Sequence, residues 1–73
     1  MTAILETLKS AGLSPNVKVN ADNSARITVW AANESHPREE RIEIDVDSSG
    51  KVSRSSKYAY LLPASVGDEI RLS

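Results

Sequence analysis

Arg41-Ile42-Glu43-Ile44-Asp45-Val46-Asp47-Ser48-Ser49-Gly50-Lys51 decides how this chain folds. Ile42, Ile44 and Val46 alternate with Glu43, Asp45 and Asp47, the period-two pattern of a strand with one dry face and one wet face. The five residues from Asp47 to Lys51 then predict a type I turn with Gly50 in the left-handed region, setting Asp47 opposite Lys51 and Val46 opposite Val52. A fourth strand over about Lys51 to Lys57 follows from that turn more than from its own composition. Ser53, Ser55 and Ser56 make it a poor strand former, an edge strand that frays or bends near Ser55-Ser56.

Toward the N-terminus the period holds and then changes. Ile27, Val29 and Ala31 alternate with Arg26, Thr28 and Trp30, and Val17, Val19 and Ala21 alternate with Lys18 and Asn20. The turn-forming Asp22-Asn23-Ser24 between them makes this a hairpin. Between the hairpin and the Arg41 strand, Asn33 to Arg38 reads as a loop, because Asn, Ser and Pro disfavour continued pairing and His36 directly precedes Pro37. Before Pro15 the spacing becomes helical: Ile4, Leu5, Leu8 and Ala11 form one stripe, with Glu6, Lys9 and Ser10 opposite. Thr2 is the expected N-cap. Gly12 sits where a left-handed residue ends a helix, Leu13 can fold back on Leu8, and Pro15 forbids continuation.

Toward the C-terminus, Tyr58-Ala59-Tyr60-Leu61-Leu62-Pro63 is apolar enough to be buried, and Pro63 ends it. Val66-Gly67-Asp68 is expected to turn the chain into a last short strand, Glu69-Ile70-Arg71-Leu72, with Ile70 and Leu72 on one face. The whole is an α+β domain spanning residues 1–73: an N-terminal helix packed on one face of a 4–5 stranded antiparallel sheet, in the order α-β-β-β-β-(β). Leu5, Leu8, Val17, Val19, Ile27, Val29, Ile42, Ile44, Val46, Leu61, Leu62, Ile70 and Leu72 are its expected core.

With 73 residues and no cysteine, the chain has neither disulfides nor thiolate zinc sites to support a marginal core. A disulfide-free chain whose opening carries Glu6 rather than a purely apolar run is expected in the cytoplasm. Apolar runs are short and broken by charge, far from the roughly 20 consecutive residues a membrane span needs. Nine basic residues face ten acidic ones, so bulk charge names no partner. The local distribution is less even: Glu34, Glu39, Glu40, Glu43, Asp45 and Asp47 cluster against only Arg38 and Arg41, and Lys51, Arg54 and Lys57 follow without an acid.

Little here carries chemistry. The single histidine, His36, reads as a solvated loop residue; it cannot supply a multi-histidine metal centre, and a hydrolytic triad needs partners not apparent around it. Gly12, Gly50 and Gly67 are isolated and each has a structural use, so no phosphate-cradling loop exists. Glu43, Asp45 and Asp47 lie two apart on one strand, about 6.7 Å between neighbours, too far to chelate one ion without further ligands. No enzyme activity and no cofactor are expected.

Two surface features remain. Trp30 falls on the side of the sheet away from the helix, where an indole is costly to leave in water; the simpler expectation is cover from its own chain, with Tyr58 and Tyr60 joining it, and the other is cover by a partner. The carboxylates Glu43, Asp45 and Asp47, extended by Glu39 or Glu40, form a regular acidic row. Solubility alone accounts for such a row, and a binding surface for a basic, nucleic-acid-binding protein is the functional alternative. Trp30 and these acids are therefore the candidate partner-binding residues of a small non-enzymatic protein-binding module, an inhibitor or adaptor of the kind phages and mobile elements encode. The alternatives are a nucleic-acid face made of Lys51, Arg54, Lys57, Tyr58 and Tyr60, and a homodimeric structural domain joined through edge strands.

Overall fold

The computed structural model describes residues 2–72, with side chains described for residues 4–70. Helix α1 (Thr2–Ser10) leads into strands β1 (Asn16–Val19), β2 (Ala25–Asn33), β3 (His36–Val46) and β4 (Val52–Ser55). A 3₁₀ helix (Lys57–Leu61) and helix α2 (Ala64–Leu72) follow. The strands form one antiparallel sheet in the order β1-β2-β3-β4, the meander that short sequential connections favour.

Helix α1 stops as its sequence demands. Gly12 adopts φ +83°, the Gly12 N–H donates to the Lys9 carbonyl at 3.0 Å, and the Leu13 N–H donates to the Leu8 carbonyl at 3.1 Å, the paired bonds of a Schellman ending. The expected Thr2 cap and the Leu72 side chain lie outside the described side chains.

The β3–β4 turn also forms as read. Gly50 takes φ +92°, the Asp47 N–H donates to the Lys51 carbonyl at 2.8 Å, and Val46 pairs with Val52. Beyond that pair the register slips by one, so Asp45 faces Arg54 and Ile44 faces Ser55, where β4 ends.

Two expectations fail, each for a physical reason. The Asn33–Arg38 loop is only Glu34 and Ser35 long, because β3 already begins at His36. The Asn33 carboxamide closes this tight turn by accepting from the His36 N–H at 2.8 Å and the Ser35 hydroxyl at 2.9 Å. Pro37 is tolerated because it lies in the irregular stretch between the Asn33–His36 and Ala31–Glu40 pairs, where the register gives it no partner on β2.

The second failure is the last strand: Glu69–Leu72 is helical and belongs to α2. The Pro63 carbonyl accepts from the Val66 and Gly67 N–H groups and so starts the helix, and Leu62, Val66 and Ile70, four apart, face the core. Gly67 is an ordinary helical residue, not a turn.

Both helices lie on one face of the sheet and pack on one another. Ile27, Val29, Ile42, Ile44 and Val46 from the sheet meet Ile4 and Leu8 from α1, with Leu61, Leu62 and Val66 from the C-terminal region. Full burial of each is worth about 1.5–3 kcal/mol. Leu5, Val17 and Ile70 are only partly buried, while Ile4, Ala25, Ala31 and Val66 are buried beyond the expected core set. Val19 leaves it: at the end of an edge strand it is 60% exposed.

β1 pairs only with Ala25–Thr28, and β4 only with Ile44–Val46, so the β2–β3 hairpin runs on as a two-stranded arm, with a register shift between Ala31 and Asn33. The chain accordingly measures 37 × 20 × 19 Å.

Candidate functional site: the open face of the sheet

With both helices on one side, the described residues form no layer on the other side of the sheet. The alternation of β2 and β3 sends Arg26, Thr28 and Trp30, and Arg41, Glu43 and Asp45, to that side. The register then builds rows across the strands. Lys18 on β1 faces Arg26, Arg26 faces Asp45, and Asp45 faces Arg54 on β4. Thr28 faces Glu43 in the next row, and Trp30 faces Arg41 in the one beyond.

The charges on this face are tightly matched at its centre. Arg26 donates from Nε to Asp45 Oδ1 at 2.8 Å and from Nη2 to Oδ2 at 3.4 Å, and its Nη1 lies 3.3 Å from Glu43 Oε2. Arg41 Nη2 reaches the other Glu43 oxygen at 3.6 Å. The hydrogen bond from Arg26 holds the pKa of the Asp45 carboxyl below its ordinary value against the opposing effect of burial, with the charges of Arg26 and Arg54 adding to the lowering. The same bond raises the Arg26 guanidinium. Shallow polar hollows flank this ion-pair cluster, one bordered by Lys18, Asn20 and Ser24, the other by Arg54 and Ser56.

Trp30 stands on the same face, 56% exposed. The expected cover by Tyr58 and Tyr60 does not form, because the 3₁₀ helix that carries them packs on β3 and β2 from the core side of the sheet, with Leu61 in the core. Tyr58 lies 5.7 Å, ring to ring, from His36, and Tyr60 lies 6.3 Å from Tyr58 and is itself 64% exposed.

The acidic row is divided among three environments. Glu43 and Asp45 share the open face, and Glu39 is exposed in the irregular stretch of the arm, where the register gives it no partner. Glu40 has the opposite parity and points to the helix side, its Oε1 3.4 Å from His36 Nε2 and 3.7 Å from Arg38 Nε. Asp47 is part of its turn: Oδ1 accepts from the Ser49 hydroxyl and from the Ser49 and Lys51 N–H groups, which lowers its pKa, the Ser49 hydroxyl first.

The basic set is divided as well. Arg54 is on the open face and Lys51 is in the β3–β4 turn. Lys57 holds its ammonium 5.1 Å from the Tyr58 ring centre on the helix side, so Lys51, Arg54, Lys57, Tyr58 and Tyr60 present no single surface.

Lys18, Arg26 and Arg41 are the members of the open face that the sequence reading left unassigned. Parity alone groups Arg26 with Trp30 and Arg41 with Glu43; what parity lacks is the register that seats Arg26 against Asp45. Among the described residues no three His, Asp or Glu side chains gather as metal ligands, and no helix is long and apolar enough to cross a membrane. No family model, no curated protein and no solved structure matches this chain.

Proposed function

We propose that this chain is a small non-enzymatic protein-binding module that docks another protein on the open face of its sheet, with Trp30 as the anchor. The observation that carries the reading is the 56% exposed indole on the helix-free face of the sheet, one row from the ion-pair cluster of Arg26, Arg41, Glu43 and Asp45. Trp and Arg are the residue types most enriched where binding energy concentrates, and an aromatic held by two paired strands loses little conformational freedom on docking. Glu43 and Asp45 are already matched by Arg26 and Arg41, which moves the weight of the reading from a bare acidic row to the mixed face around Trp30.

The test pairs stability with capture. Trp30→Ala is expected to unfold cooperatively with stability within about 0.5 kcal/mol of the parent, as for an exposed position. A photo-crosslinker at position 30 is expected to trap a defined partner in cell extract that the same group at Ser10 does not trap. Equal trapping at both positions, or a Trp30→Ala loss above about 2 kcal/mol in the isolated protein, would instead assign Trp30 a role inside its own fold.

A further inference from the structure

Resting on that reading, we infer that the partner presents an extended acidic segment, with a carboxylate over Lys18 and Arg26 and an apolar side chain four residues along, on Trp30.

The first observation is an imbalance in one row. Lys18, Arg26, Asp45 and Arg54 stand side by side on four adjacent strands, three cations around one acid. Arg26 has its guanidinium on Asp45 and Glu43, and Lys18 stands directly opposite it across the β1–β2 pair. Like charges in directly opposite positions disfavour a sheet. A carboxylate laid over this pair relieves the repulsion from the Lys18 side of the hollow, away from Asp45, which lines its other side. The demand for negative charge is thus local, at the β1–β2 end, in a chain whose net charge is −1.

The second observation is spacing. Arg26 and Trp30 are four residues apart on β2 with the same parity, so the cationic and aromatic contacts are about 13 Å apart along the strand. Thr28, between them, is small and partly buried, leaving the intervening surface low. A segment of extended chain lying along β2 has that same repeat, so an acid and an apolar residue at positions i and i+4 reach both contacts.

The third observation separates a peptide from a nucleic acid. A single strand carries a phosphate at every nucleotide, whereas the row between the two contacts presents Glu43, and Asp45 sits inside the cationic row. One aromatic platform and two carboxylates in the path suit a segment with one charged end and one apolar contact, and oppose uniform negative charge.

The test uses the full ¹⁵N-labelled chain and four synthetic probes. The first is a ten-residue Ser/Thr peptide with Glu at one position and Leu four residues along. The second has Lys in place of Glu, the third has Glu and Leu adjacent, and the fourth is a ten-nucleotide oligothymidylate. The first probe is expected to shift the Lys18 and Arg26 amides and the Trp30 indole N–H together. Its binding is expected to weaken with salt and to fall roughly fivefold in Lys18→Glu, whose site is exposed on an edge strand. Equal or tighter binding of the Lys peptide, the adjacent-spacing peptide or the oligothymidylate overturns the inference, as does the absence of shifts with the first probe. A Trp30 indole shift confined to the Lys peptide would overturn the acidic partner while leaving the open face as the docking surface; loss of position-30 crosslinking would remove that face itself.

Discussion

The two faces of the sheet are built from the same strands, one residue apart, and they do opposite work. On the helix side Ile27, Val29, Ile42, Ile44 and Val46 are at most 1% exposed. On the open side their immediate neighbours Arg26, Thr28, Trp30, Glu43 and Asp45 are half-buried or exposed. The difference teaches that core packing and surface chemistry are separable here at the level of single positions, because a pleated strand sends consecutive side chains to opposite sides.

The sharpest break of that comparison is at adjacent residues. Ile44→Ala opens a cavity in the centre of the core and is expected to cost about 2–5 kcal/mol, much of what a domain of this size holds, whereas Glu43→Ala is expected to stay within about 0.5 kcal/mol. Urea unfolding of both variants checks it, and comparable losses at the two positions would mean that the open face is also structural.

A smaller effect of opposite sign probes the helix layer that makes the faces unlike. A methyl group at Gly67 would meet no neighbouring atom within 4 Å, and the residue is helical. Gly67→Ala is therefore expected to stabilise the fold by about 0.5–1 kcal/mol, measured by thermal or urea unfolding. A loss at this site would restore the turn that the sequence reading placed there.

The smallest effect belongs to acid. Asp22, Asp45 and Asp47 all have lowered pKa values, from hydrogen bonds with Ser24, Arg26 and Ser49 respectively. Each therefore binds its proton less readily folded than unfolded, so its contribution is complete above the unfolded value of about 3.9 and is lost as pH falls through the lower folded value. Stability is expected to be level near neutrality and to decline below about pH 4, and Asp47→Asn, which keeps an acceptor oxygen, is expected to flatten that decline. An unchanged acid slope in Asp47→Asn would remove the turn from the account.

Where the sequence reading worked, local chemistry left one solution. The Ile42-Ile44-Val46 alternation admits only one inward face, Gly50 fixes the turn, and those two together align Val46 with Val52. Where it failed, the deciding contact was distant or the window too short. Four residues from Glu69 to Leu72 satisfy either period, and only the Leu62-Val66-Ile70 spacing points to a helix. His36-Pro37 reads as loop until it is known that the register gives Pro37 no partner on β2. The acidic row was visible as spacing, but its neutralisation by Arg26 depends on β2–β3 register, and the exposure of Trp30 depends on the helices all choosing the other side.

The arm has a last consequence, for how these molecules behave when crowded. Its outer β3 margin, beyond the end of β4, bears the sequence Pro37-Arg38-Glu39-Glu40-Arg41, which reads nearly the same in both directions apart from the proline. Two copies meeting there head to tail about their midpoint would set Arg38 against Arg41 and Glu39 against Glu40, each like against like, while Pro37 withholds a donor. The longest stretch of unpaired backbone at the β3 margin is thus guarded against its own twin.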